Sequence, residues 1–334
     1  MNGFPRSRYR AVRMARAIAL LLALGLALGV FPARAESLSY GWQKVDGINL
    51  FYREAGPRDA PTIVFLHGTP TSSVMYQPLM ERLADSHRLH LLALDYPSYG
   101  FSDAPDRAAY AYTFDHLAET VRKFLQARGV EHYALYMQDY GVPVGFRLIE
   151  AAPAAVTAVM VQNGVIHLDG FPMGQDENGV LRRYWRQRDA AVDRGNAEDM
   201  RAQPFPQAAN WTEGGGLPPE VVALDNMVQQ RPGVIEARND LWFDYGSNLA
   251  RYPAWQALLR RLKLPVLVLW GDGDPYFTVP GALAYLRDAP QAEVHVLQAG
   301  HFASAEVPDP IAKLVLDFTA RHRGLELEAS PAAH

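Results

Sequence analysis

Tyr133-Ala134-Leu135-Tyr136-Met137-Gln138-Asp139-Tyr140-Gly141 is the stretch from which the rest of the chain can be placed. Its first five residues form the apolar, aromatic-rich run that a buried parallel strand requires, and Tyr140 to Ala152 then carries apolar residues at helical spacing. So short a link between strand and helix makes a sharp turn, which lifts one side chain clear of the sheet beside exposed backbone N–H groups. Asp139 occupies the tip. Gly141 supplies the small residue wanted two places on, whereas Met137 stands where a small residue is expected two places before. An ordinary helix N-cap is the competing reading of Asp139, since aspartate is common there.

Outward from this turn, strands and helices alternate as in an α/β fold. Tyr40 to Val45 and Ile48 to Glu54 read as a hairpin around Asp46-Gly47. Thr62 to Leu66, Leu89 to Leu94, Val156 to Gln162, Pro265 to Trp270 and Glu293 to Leu297 read as further strands, and Phe114 to Arg128 as a helix. The stretch from His167 to about Trp255 breaks the rhythm. Rich in Arg, Asp, Trp, Tyr, Pro and Gly, it predicts a mainly helical insertion over one end of the sheet, with Trp185, Trp211, Trp242 and Trp255 in or at the end of it.

Two more strand ends carry chemistry, and parallel sheets bind ligands at the carboxyl ends of their strands. Trp270-Gly271-Asp272-Gly273-Asp274-Pro275 offers an acid able to orient a histidine. Asp274 is preferred and Asp272 stays open, against the reading of a plain polar turn. Gly300-His301-Phe302 follows the last strand and supplies that histidine.

With His67-Gly68-Thr69-Pro70 after an early strand and Asp95-Tyr96-Pro97-Ser98-Tyr99-Gly100-Phe101-Ser102 after the next, these motifs resemble the epoxide hydrolase and haloalkane dehalogenase branch of the α/β-hydrolase superfamily. The resemblance runs from about Tyr40 to Arg323. It implies an α/β-hydrolase fold: a mostly parallel central sheet flanked by helices, with a helical lid insertion. The expected division is 1–35 signal peptide, 36–166 and 256–323 the two parts of the core, 167–255 the lid, and 324–334 a disordered tail. It further implies that Asp139 attacks carbon, that His301 activates the water cleaving the resulting ester, and that Asp274 holds the imidazole. The backbone N–H groups of Thr69 and Tyr140 are the expected oxyanion hole.

Opening an epoxide creates an alkoxide that needs an acid, and the resemblance implies two lid tyrosines for this. Tyr184 and Tyr245 match in position, with Tyr252 an alternative to the second. Halide release instead wants N–H donors, typically a tryptophan beside the nucleophile and an asparagine after the His-Gly pair. Tyr140 and Thr69 stand in those places, although Trp185 or Trp242 offers a donor. Epoxide hydrolysis to a vicinal diol is therefore the first expectation, haloalkane dehalogenation the second, and a ligand-binding protein with little turnover the third. The aromatic lid points to a small apolar or aromatic substrate.

Other features exclude classes of function. The absence of cysteine rules out thiol catalysis, disulfides and Cys-based zinc sites. A net charge of −4 gives no basic face for nucleic acid. His87 and His90 lack a third ligand, and Gly214-Gly215-Gly216 follows no strand and lacks a P-loop lysine, so neither a metal nor any other cofactor is expected. Gly100-Phe101-Ser102-Asp103-Ala104 mimics a serine turn but leads to Pro105 rather than a helix. Arg6, Arg8, Arg10, Arg13 and Arg16, the apolar run Ala17 to Val30, and Ala33-Arg34-Ala35 together read as a cleavable export signal, giving a periplasmic or secreted protein without stable membrane insertion. A retained anchor is the alternative, though the apolar run is shorter than the roughly 20 residues of a spanning helix. Met14 is a second candidate start.

Overall fold

A computed structural model describes residues 38–202 and 216–322. The expected signal peptide, the tail from residue 324, Trp211 and the first two glycines of the triple-glycine run lie outside the described residues. Eight strands form one sheet: β1 (Ser39–Val45), β2 (Ile48–Ala55), β3 (Thr62–Leu66), β4 (His90–Leu94), β5 (Tyr133–Gln138), β6 (Val156–Gln162), β7 (Val266–Gly271) and β8 (Glu293–Leu297). Their order is β1-β2-β4-β3-β5-β6-β7-β8, and every pairing from β4 to β8 is parallel. The β1–β2 hairpin closes at Val45 and Ile48 through Asp46 and Gly47, whose φ values of 49° and 88° meet the two-residue turn's demand for left-handed backbone.

The strands expected to be continuously apolar are those buried on both faces. Val64, Leu66, Leu92, Leu94, Val159, Val161, Val266 and Val268 face one core, while Ile63, Phe65, Leu91, Ala93, Ala158, Met160, Leu267 and Leu269 face the other. The alternation is the period of a strand with each side packed. Helices Phe114–Ala127 and Gly141–Ala151 cover the first face; helices Gln77–Ala84 and Pro308–Arg321 cover the second. Each fully buried Leu, Val or Phe in these layers contributes roughly 1.5–3 kcal/mol relative to exposure.

Between β6 and β7 the described residues hold helices and no strand: Pro172–Gln175, Val180–Arg186, Ala190–Ala202, Pro219–Gln229, Val234–Asp244 and Gly246–Leu262. The last of these runs past Trp255 because Trp255 is itself core, stacked on Phe146 at 5.5 Å, so nothing at that residue ends the helix. Among the described residues, no helix is long and apolar enough to cross a membrane.

At β2, Glu54 draws four elements together. Its carboxylate accepts from Arg58 at 2.8 Å and Arg128 at 2.9 Å, and meets His90 Nε2 at 3.0 Å. Burial alone would raise this carboxyl, but hydrogen bonds from His90, Arg58 and Arg128 outweigh it and lower its pKa from 4.5 to about 2. A depressed acid contributes stability above its ordinary pKa, lost as pH falls through the folded value. Glu54→Gln is therefore expected to cost about 3 kcal/mol at neutral pH. Urea unfolding from pH 7 to 2 should show the two proteins converging below pH 4.5; a gap constant with pH would refute this account.

Candidate active site

Parallel register brings the ends of β3, β5, β6 and β7 to one edge of the sheet, with Leu66 opposite Met137, Gln138 opposite Gln162, and Gln162 opposite Leu269. Asp139 sits just past β5 at φ 49°, a left-handed conformation in which its N–H reaches Asn163 O at 3.2 Å. Gly141 is required by crowding, because a Cβ there would lie 2.0 Å from the Leu66 carbonyl oxygen. Met137 is tolerated where a small residue was expected because its sulfur fills space left by Gly145, where a Cβ would lie 2.1 Å away.

The Asp139 carboxylate faces the loop after β3, where Oδ1 accepts the Thr69 N–H at 2.9 Å. Gly68 makes that approach possible, since a Cβ there would lie 2.4 Å from Asp139 Cβ. Burial raises the Asp139 carboxyl above the ordinary carboxylate range, against His301 and the Thr69 and Tyr140 N–H groups, which favour the charged form. A carboxylate stripped of water but held by two N–H donors is a stronger nucleophile than one in solution.

His301 Nε2 lies 3.9 Å from Asp139 Oδ2, and its Nδ1 meets Asp274 Oδ2 at 2.7 Å. Of the two acids left open, Asp274 reaches the imidazole; Asp272 is exposed. Asp274 is itself fixed by N–H groups of Tyr276 at 2.7 Å and Phe277 at 3.1 Å and by Asn163 Nδ2 at 2.9 Å. Burial pulls the His301 pKa down, but Asp274, by charge and hydrogen bond, then Asp139 and Glu306, raise it above the ordinary histidine value. Asn163 was not singled out from sequence. Its place one residue beyond β6, with φ 42°, is the signal that marks it. Gln138 was read only as the neighbour of Asp139, yet its Nε2 lies 2.8 Å from His301 Nε2.

The tyrosines divide. Tyr245 packs against Tyr140 at 5.7 Å, and its hydroxyl stands 3.3 Å from that of Tyr252; both phenols feel the Asp139 charge. The Tyr184 hydroxyl instead donates to Asp193 at 2.5 Å, so of the three tyrosines considered Tyr245 and Tyr252 bring their hydroxyls together. Trp185 Nε1 donates to the Trp242 carbonyl at 2.8 Å, which commits that N–H. Aromatic rings run from His301 through Phe277, Phe171, Trp185 and Tyr245 to Tyr140, with successive centroids 5.3–5.8 Å apart.

Ser102 is buried away from this group, accepting the Phe51 N–H and donating to the Asp95 carbonyl. Among the described residues no group of three or more His, Asp or Glu side chains is poised to hold a metal ion.

The balance of charges on His301 can be measured without a substrate. NMR titration should place the His301 imidazole above the ordinary histidine pKa in the native protein, and lower than that in Asp274→Asn, where the largest opposition to burial is removed. An unchanged titration in the variant would sink it.

Residues 61–308 match the family described as the alpha/beta hydrolase fold. The chain is 35% identical over 288 residues to an uncharacterized hydrolase of Saccharomyces cerevisiae, covering 84% of this chain and 96% of that protein. It is 26% identical over 280 residues to a haloalkane dehalogenase of Psychrobacter cryohalolentis, covering 81% and 87%. In three dimensions it resembles a Pseudomonas aeruginosa protein described as a candidate epoxide hydrolase, with a TM-score of 0.71 and 22% identity, covering 88% of this chain and 98% of that one. The eight-stranded, mostly parallel sheet and these matches agree: the chain is a hydrolase of the α/β-hydrolase fold family.

Proposed function

We propose that the protein is an epoxide hydrolase that opens a small apolar or aromatic epoxide through a covalent ester on Asp139. The observation that carries this reading is the Tyr245–Tyr252 hydroxyl pair, both phenols within the field of a buried carboxylate whose Oδ1 is already held by a backbone N–H.

Asp139 Oδ2 attacks an epoxide carbon, the ring C–O bond breaks, and the nascent alkoxide takes the Tyr245 proton, with Tyr252 hydrogen-bonded behind it. Oδ1 becomes the ester carbonyl oxygen. His301 Nε2 then removes a proton from water, the hydroxide adds to Asp139 Cγ, and the charge gathers on Oδ1 between the Thr69 and Tyr140 N–H groups. Collapse breaks the Cγ–Oδ2 ester bond, so Oδ2 leaves in the diol and the oxygen from water stays on Asp139. The imidazolium protonates the departing diol, and the proton left on Asp139 returns to the Tyr245 oxygen. Asp274 stabilises the imidazolium throughout. The aromatic wall excludes water from the first step and accounts for a preference for apolar substrates.

Dehalogenation remains the second reading, supported by the Psychrobacter relative. Against it stand Tyr140, which offers no ring N–H beside the nucleophile, and Trp185, whose N–H is spent on Trp242. The basic, then apolar N-terminal segment supports export to the periplasm or beyond.

His301→Gln should form the ester and fail to release it. Intact-mass spectrometry after exposure to epoxide and haloalkane panels should show Asp139 heavier by the whole mass of an epoxide. An adduct equal to a haloalkane less its hydrogen halide, with none from any epoxide, would establish the second reading instead; no adduct from either panel would favour a binding protein. Tyr245→Phe should slow ester formation about 100-fold. Stopped-flow alkylation kinetics measure this, and an undiminished rate would remove Tyr245 from its assigned role.

A further inference from the structure

The side chain before the nucleophile has no part in the steps above, yet it touches the base. Gln138 is fully buried, and its Nε2 lies 2.8 Å from His301 Nε2 and 3.3 Å from the His301 carbonyl oxygen. The carbonyl settles which end of the amide faces the ring, because the amide oxygen there would oppose another oxygen, whereas the NH₂ group donates to both. A nitrogen that accepts this N–H carries a lone pair. Nδ1 must then bear the ring proton, which points at Asp274. Gln162 Nε2 donates to the same His301 carbonyl at 3.2 Å and is held in turn by the Tyr136 hydroxyl, so the backbone of the base is pinned from β5 and β6 together.

We infer that Gln138 is a positioning residue for the hydrolytic half of the reaction, holding His301 Nε2 as an unprotonated acceptor aimed at the nucleophile until water arrives. The inference rests on the ester route proposed above.

The charged and titratable groups around the imidazole push the other way. Asp274 and Tyr276 on the loop after β7, Asp139 at the turn after β5, and Glu306 on the helix Ala303–Glu306 all face it, and the carboxylates favour the imidazolium. A base already protonated cannot take a proton from water. An N–H aimed at Nε2 opposes that outcome, since a hydrogen bond to the neutral form disfavours the charged one. The same donor repels the Nε2–H formed during hydrolysis, which speeds return of the proton to the departing product. Gly68 gives the amide its room, as a Cβ there would lie 2.4 Å from Gln138 Oε1.

The test uses Gln138→Met, which removes the donor at similar volume, and Gln138→Glu, which keeps the shape and reverses the charge. The probe is whichever epoxide labels Asp139 in His301→Gln. Single-turnover quench with intact-mass detection separates ester formation from ester decay across pH. In both variants the acid limb of ester decay should move up, by about one pH unit in Gln138→Met, the worth of one hydrogen bond, and further in Gln138→Glu. Ester formation, which does not use His301, is the internal reference. A decay limb that stays within about 0.2 unit of the native one in both variants overturns the inference while leaving the ester route intact. Absence of any ester, in His301→Gln as in the native protein, overturns the route itself.

Discussion

A carboxylate buried at a left-handed turn is expensive unless its charge is answered, and the Asp139 site is built around that requirement. Thr69 and Tyr140 supply N–H donors, and His301 supplies a polarisable partner 3.9 Å away. The glycines follow from the same demand. Without Gly141 the helix could not approach β3, and without Gly68 the β3 loop could not bring Thr69 onto the carboxylate. The motif His67-Gly68-Thr69-Pro70 is thus a packing condition on Asp139 as much as a feature of its own strand.

A second requirement is that Asp139 and Asp274, on either side of His301, keep a fixed separation. Asn163 meets it, with its backbone carbonyl taking the Asp139 N–H and its side-chain amide holding Asp274. Its Oδ1 also accepts the Gly271 N–H at 2.9 Å, so one residue spans the ends of β5, β6 and β7. Parallel register makes this possible by ending the three strands at one level. The carboxylates at the two ends of the imidazole then act through a shared frame rather than through flexible loops, which is the condition for preorganised charge stabilisation.

The helical segment between β6 and β7 supplies the hydrophobic surroundings and the hydroxyls. Its rings stack from Phe171 through Trp185 and Tyr245 onto Tyr140, and burial of Asp139 raises its carboxyl and makes Thr69 and Tyr140 effective donors. Arg238 from this segment reaches the Pro70 carbonyl at 3.0 Å, tying the helices to the loop that carries Thr69. Hydroxyls in such a place differ in use according to their partners. Tyr184, bonded to the Asp193 carboxylate, has its proton committed, whereas Tyr245, among the described residues, shares with the Tyr252 hydroxyl.

Strand runs, the Asp46-Gly47 hairpin and the turn at Asp139 were legible in the amino-acid order, since period, turn chemistry and glycine crowding act within a few residues. Strand ends were right to within about a residue for the same reason. The order Asp139, Asp274, His301 also follows from the chain, because each residue trails a recognisable strand. Which neighbours meet was decided only by the tertiary structure. Asp274 rather than Asp272 turns inward, Tyr252 rather than Tyr184 joins Tyr245, and Gln138 and Asn163 reach His301 and Asp274. The last two contacts join residues 163 and 111 positions apart, and hydrogen bonding depends on separations of about 3 Å that no local pattern encodes.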